Sequence, residues 1–175
     1  MRTSSAVLLV FLAAAATQLS CAFVVKADDD ALHTHAASAA PAAAAVTHAT
    51  CVLQPTEANP HVSGVVHFVQ TAAGLVIEAE VTGLTPGPHG FHVHEWGDLD
   101  CKDGLCTGGH FNPTGQPHAS PDAAARHAGD LGNLVADANG VAHYRREDHM
   151  LSLNGPTSVI GRGMVVQAGA DDFTT

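Results

Sequence analysis

An all-β domain is predicted by three features of the chain. Residues Leu75 to Thr82 alternate, with Leu75, Ile77, Ala79 and Val81 on one face and Glu78, Glu80 and Thr82 on the other, the period of a half-buried strand. Further short segments of this kind are separated by clusters of Gly, Pro, Asn and Asp at the spacing of a sandwich or barrel. Helix-period apolar stripes are hard to find, and 17 glycines with 14% charged and 46% apolar residues fit a β-rich globular chain better than a disordered one.

The first segment does not belong to that domain. Arg2, an apolar run from Ala6 to Ala16 and small residues at Ser20 and Ala22 before Phe23 read as a cleaved secretory leader over residues 1–22. The run is about half of the ~20 apolar residues a membrane span needs, so no membrane span is expected, and the protein is assigned to the secretory lumen or the outside of the cell. Leu19-Ser20-Cys21 loosely resembles a lipoprotein cleavage site, but its leucine is one position off and no anchor is assigned. Residues 23–45 are Ala-rich, contain Asp28, Asp29 and Asp30, and lack any packing period, as expected of a flexible tether. His33, His35 and His48 have no fixed geometry in such a context, and no metal site is assigned to them. The globular domain is expected over 46–175.

Within it, Gly83-Leu84-Thr85-Pro86-Gly87-Pro88 ends the Leu75–Thr82 strand with turn chemistry, and a new strand starts at Gly90. His92 and His94 lie two residues apart on that strand, so both imidazoles face one way. Leu131–Ala136 and Val141–Arg146 flank Asp137-Ala138-Asn139-Gly140 as a hairpin, and Ser158–Gln167 reads as a last strand. Between these elements, 97–129 is a loop of roughly thirty residues without a strand period, a length that implies function or disorder. A bound metal ion would supply the cross-link that its missing apolar packing cannot.

Charge narrows the choice of function. Seven basic and 17 acidic residues give a net charge of -10, which excludes nucleic acid and anionic membrane as partners held by bulk attraction. Thirteen histidines are the anomaly, and six of the chemistry-bearing positions fall into one pattern: His92-x-His94, then His110, His118, His127 and Asp130. Three imidazoles and one carboxylate, His110, His118, His127 and Asp130, complete a closed tetrahedral zinc site. The strand pair His92 and His94 with a third imidazole makes a more open site of the kind copper uses. His110 is the obvious shared ligand, although any one of these histidines taken alone would be read as a surface or hydrogen-bonded core residue.

Three segments carry a resemblance: Gly90-Phe91-His92-Val93-His94, Gly109-His110-Phe111-Asn112-Pro113, and Arg126-His127-Ala128-Gly129-Asp130-Leu131-Gly132-Asn133. With them the chain resembles the copper/zinc superoxide dismutase family from about Val46 to Asp172. The resemblance implies a Greek-key β-barrel with a long metal-binding loop. It implies copper on His92, His94 and His110, which would be the catalytic set, and zinc on His110, His118, His127 and Asp130. It also makes Asp171 an outer carboxylate linking the two sites through ligand histidines, and His89 a packed residue. The implied reaction disproportionates superoxide to dioxygen and hydrogen peroxide, with His110 as bridge and proton carrier, and the implied assembly is a homodimer. Because superoxide is an anion, fast capture in an acidic protein needs a local positive funnel, and the sequence shows no obvious one.

The chain also departs from the family. Val165-Val166-Gln167 places Gln167 where the family has a fourth copper histidine, which predicts weaker copper binding and a shifted redox potential. The sequence ends at Thr175, before the family's arginine-bearing loop and its last strand with a disulfide cysteine, so the fold is expected to lack that strand and to have unpaired edges. Cys101 or Cys106 matches the family's loop cysteine. A Cys101–Cys106 bridge is expected from their proximity and a secretory compartment, leaving Cys51, on the parity of Ala49 and Leu53, as a buried free thiol. The alternative to an active enzyme is a catalytically inactive zinc-stabilised or copper-handling domain of the same fold.

Overall fold

The computed structural model describes residues 44–174 and the backbone of 6–8. Its strands are β1 (Ala6–Leu8), β2 (His48–Leu53), β3 (Ser63–Gln70), β4 (Leu75–Thr82), β5 (Gly87–His94), β6 (Asp130–Ala136), β7 (Ala142–Asp148) and β8 (Gly163–Val166). All pairings are antiparallel, in the order β1-β8-β5-β6-β7-β4-β3-β2. β7 returns beside β4 after the β5–β6 pair, and β8 returns beside β5, which makes an all-β Greek-key arrangement in which β2 to β8 form a nearly closed barrel. The segments read above as leader and tether lie outside the described residues, apart from the strand Ala6–Leu8 and residues 44 and 45.

Alternation places β4 as expected: Leu75, Ile77 and Val81 are fully buried, and their even-numbered neighbours Glu78 and Glu80 are exposed. β3 was not assigned from the sequence because Val65 and Val69 put apolar side chains on its outer face as well, which blurs the period of Val66 and Phe68 on its buried face. β5 begins at Gly87, opposite Ala136, rather than at Gly90. The last strand is shorter than Ser158–Gln167. A turn closed by Arg162 N–H donating to Val159 O (3.2 Å) takes up its first half, and the strand runs only from Gly163 to Val166.

β5 is the element that matters for function, because it pairs with β6 on one edge and β8 on the other. Its odd face sends Phe91 and Val93, both at 0% exposure, into the core with Leu134, Met164 and Leu131. Burial of each such side chain is worth roughly 1.5–3 kcal/mol. The Phe91 ring meets Tyr144 edge-on at 5.2 Å, and the Tyr144 hydroxyl donates to Leu131 O (2.8 Å). The even face, with Gly90, His92 and His94, would be solvated in a bare barrel. Here the 97–129 loop covers it, and His92 is only 1% exposed.

Two devices hold the loop on that face. In the first, Val93 N–H donates to Gly129 O (2.9 Å), Phe111 N–H to Val93 O (2.8 Å) and Gly129 N–H to Phe111 O (2.9 Å), so three distant segments share a ring of main-chain bonds. Gly129 is required because a Cβ there would lie 2.2 Å from Val93 O. The second is a buried ion pair between Arg126 and Asp148, at the end of β7. Arg126 Nη1 also donates to the carbonyls of His127 (2.9 Å), Ala128 (3.0 Å) and Asp130 (3.2 Å). The Cys101–Cys106 disulfide, with Cα atoms 5.5 Å apart, closes the early part of the loop, and Cys51 is buried without a disulfide.

Candidate metal centre

His92, His94 and His118 each turn one ring nitrogen inward and face a partner that fixes the ring with the other. His92 Nε2 lies 2.8 Å from Asp171 Oδ2, and His94 Nδ1 lies 2.9 Å from Gly108 O and 3.1 Å from the Thr107 hydroxyl. The nitrogens left over, His92 Nδ1 and His94 Nε2, are buried and have no hydrogen-bond partner. Buried polar atoms without partners are rare and costly, so a pair converging on one point needs an explanation, and a metal ion supplies it. Ligand atoms of His92, His94 and His110 all lie within 4.8 Å of one another. The strand offset is set by a bulge between Gly90 and His92, which puts His92 on the same rung as Asp130 and Val165.

The second set is tighter. Asp130 Oδ1 lies 2.8 Å from His110 Nδ1, 3.0 Å from His118 Nδ1 and 3.2 Å from His127 Nδ1, and the His110 and His127 Nδ1 atoms are 3.4 Å apart. Bonds of about 2.0–2.1 Å to a tetrahedral zinc would place its ligand atoms roughly 3.3 Å from one another, so this donor set fits zinc in both chemistry and spacing. Asp130 is fully buried as the first residue of β6, and its other oxygen accepts from the main chain of Ala119 (3.2 Å) and His127 (3.0 Å). The two sets meet at His110, whose ring stacks on His92 at 4.0 Å between centroids. Asp171 spans them from behind, with one oxygen 2.8 Å from His92 Nε2 and the other 2.8 Å from His118 Nε2. It is held in turn by Asn133, whose side-chain Oδ1 accepts from Asp171 N–H (2.8 Å).

All six residues of the sequence pattern and Asp171 therefore come together in one place. His89 stands apart, with its two ring nitrogens 2.8 Å from the carbonyl oxygens of Thr85 and Gln167. Gly108, Thr107 and Arg126 were not read from the sequence as parts of the site. The first two act through short-range loop geometry. Arg126 left one clue, a cation directly before a histidine of the pattern in a chain with seven basic residues.

The electrostatics follow from burial and from the carboxylates. Burial pushes His92 and His94 down to about 4, and repulsion from His110 adds to it. Burial also opposes charge on His118, but hydrogen bonds to Asp171 and Asp130 outweigh it and leave it raised. For Asp130, burial works upward and is overcome by His110, the Ala119 N–H and His118, which hold the carboxyl well below its usual range. In the metal-free protein, unfolding lets His92 and His94 return from about 4 to 6.5, so the unfolded chain binds more protons between those values. The stability these two groups contribute is complete above pH 6.5 and is lost as pH falls toward 4, whereas His118 alone works in the opposite direction. The urea midpoint of metal-free protein is expected to drop across that window, and a midpoint that stays flat or rises on acidification contradicts this assignment.

Residues 62–175 match the family described as copper/zinc superoxide dismutase (SODC). The chain is 46% identical over 115 residues to the extracellular superoxide dismutase [Cu-Zn] of Brugia pahangi, covering 66% of this chain and 57% of that protein. To the protein of the same name from Onchocerca volvulus it is 48% identical over 116 residues, covering 64% and 56%. It thus spans a little over half the length of these curated relatives. Among solved structures, the clock protein EA4 superposes with a TM-score of 0.66 at 43% identity, covering 73% of this chain and 78% of that one. With the family matched over 62–175, the chain belongs to the copper/zinc superoxide dismutase family.

Proposed function

We propose that this protein disproportionates superoxide at a copper site of His92, His94 and His110, joined through His110 to a zinc site of His110, His118, His127 and Asp130. The observation that carries the reading is the pair of buried, partnerless nitrogens, His92 Nδ1 and His94 Nε2, converging beside a complete three-histidine, one-carboxylate set. Bound copper would supply the redox chemistry, oxidising one superoxide to dioxygen and reducing a second, which leaves as hydrogen peroxide with two protons. The protein's own residues orient the donors and manage protons. Asp171 and Gly108 O fix the rings of His92 and His94. His110 Nδ1 faces Asp130, so its Nε2 is the atom free to take and release a proton on the copper side. Zinc would fix the loop through residues that have little apolar packing of their own.

Secretion after removal of residues 1–22, a tether over 23–45 and a catalytic domain over 46–175 complete the proposal. The relatives named extracellular support the first of these. Among the described residues no helix is long and apolar enough to cross a membrane. Homodimer formation is proposed from the family alone. The second reading, an inactive zinc-stabilised or copper-handling domain, is favoured by one observation, the carboxamide of Gln167 beside the copper set. Metal analysis with a superoxide assay separates the two. About one zinc and one copper per chain with turnover is the expected result, and zinc alone without turnover rules out the enzyme.

A further inference from the structure

The disulfide of Cys101 and Cys106 lies next to the open half of the centre and has no role in the chemistry assigned above. It closes a turn in which Gly104 N–H donates to Cys101 O (3.1 Å) and Thr107 N–H donates to Gly104 O (3.2 Å). The Thr107 hydroxyl donates to the same Gly104 carbonyl (2.8 Å), so its one proton is committed there and its oxygen can only accept from His94 Nδ1, 3.1 Å away. The carbonyl of the next residue, Gly108, is the other acceptor of that Nδ1–H (2.9 Å). His94 Nε2 is thereby left as the bare nitrogen aimed inward. Both groups that hold the His94 ring follow directly on Cys106 in the chain.

We propose that the Cys101–Cys106 disulfide positions His94, so that its reduction weakens copper binding in the open half and spares zinc in the closed half. The inference rests on reading the open half as the copper site. Thr107 is fully buried, and its carbonyl accepts from Trp96 N–H (2.9 Å), which ties it to the residues after β5. Toward solvent the turn has weaker support. Leu105 is 72% exposed, the short helix Leu105–Thr107 starts at Gly104 without a side-chain cap, and Glu57 N–H reaches Lys102 O at 3.3 Å. The covalent cross-link is what keeps Gly104 O under the Thr107 hydroxyl. The zinc set does not depend on it: His110 is held by Asp130 and by the main chain of Phe111, and His118 and His127 have Asp130 and Asp171 as partners. Both cysteines are half-buried, so a dithiol reductant has access. It gives two electrons and two protons to the S–S bond, leaves Cys101 and Cys106 as thiols, and closes into its own disulfide.

The test compares zinc-loaded full-length parent, Cys101→Ser/Cys106→Ser, Thr107→Val and Thr107→Ser by chelator competition for copper(II) and for zinc, and by the copper(II) electron paramagnetic resonance spectrum. Serine stands for the reduced state without thiols that would themselves take copper. Removing the bridge is expected to lower copper(II) affinity by about 10-fold or more, the usual effect of disturbing a partner behind a ligand histidine, and to leave zinc affinity within about threefold. Thr107→Val keeps the side-chain shape without the hydroxyl and should do the same, whereas Thr107→Ser should match the parent. Combining the bridge-free form with Thr107→Val should cost no more than about twofold further, because both act through one contact. The spectrum of the bridge-free protein should differ from the parent's and coincide with that of Thr107→Val. The proposal is overturned if copper(II) affinity is unchanged without the bridge, if zinc and copper fall together, or if the two losses add. Parent protein with its bridge intact that binds zinc and no copper overturns the copper reading, and the proposal with it.

Discussion

Asp130→Ala is expected to abolish zinc retention and to loosen the 97–129 loop, because one carboxylate performs three tasks. Its Oδ1 lies 2.8–3.2 Å from the inward nitrogens of His110, His118 and His127, so it supplies the only negative charge of the proposed zinc set. Its Oδ2 accepts from the main chain of Ala119 and His127, which fixes the loop directly after His118 and positions His127. The residue is also fully buried, so no water replaces it at low cost. Removal of an outer-shell partner typically costs 10–100-fold in metal affinity, and loss of this direct ligand should exceed about 100-fold. Zinc competition with a chromophoric chelator measures this, and a fall of less than tenfold contradicts the assignment of Asp130 as a ligand.

Asp148→Ala is expected to destabilise the fold by about 3–5 kcal/mol, the usual result of leaving one member of a buried ion pair without its partner. Asp148 is 0% exposed and pairs with Arg126, itself 2% exposed, and Arg146 Nε lies 3.5 Å from the same oxygen. Its other oxygen accepts from Met150 N–H (2.8 Å) and Leu151 N–H (2.9 Å), which would also be left unpaired. The effect should reach the metal centre, since Arg126 holds the carbonyls of His127 and Asp130. Urea unfolding of the zinc-loaded protein should show a lower midpoint together with weaker zinc binding. Unchanged stability would mean that Arg126 finds other compensation.

The parts of this molecule legible in its sequence are those encoded by local period or by a chemically restricted set of residues. Leu75 to Thr82 shows its strand because its two faces have different solvents. Ser63 to Gln70 hides its own because Val65 and Val69 are half-buried apolar residues on the outer face. The strand ending in Val166 was read too long because the turn from Val159 to Arg162 is made by apolar residues and a glycine rather than by a Pro or Asp cluster. The histidine and aspartate pattern is visible because few residue types bind metals and four of its six members fall in or directly after a long loop with no strand period of its own. The Arg126–Asp148 clamp is not visible, since nothing local to either residue names a partner 22 positions away. Asp171 came from family resemblance alone. Its place behind His92 and His118 depends on how the segment after β8 folds back onto Asn133, a long-range event that no local pattern records.

The central claim is that one histidine serves both metals, and it is tested most directly by the zinc and copper content of His110→Ala beside that of His94→Ala after identical loading. His110→Ala should lose zinc and copper together. His94→Ala should lose copper and keep zinc, because His94 Nε2 belongs to the open half alone. His110→Ala protein that keeps zinc at parental affinity, or His94→Ala protein that loses both metals, would contradict the shared-ligand account.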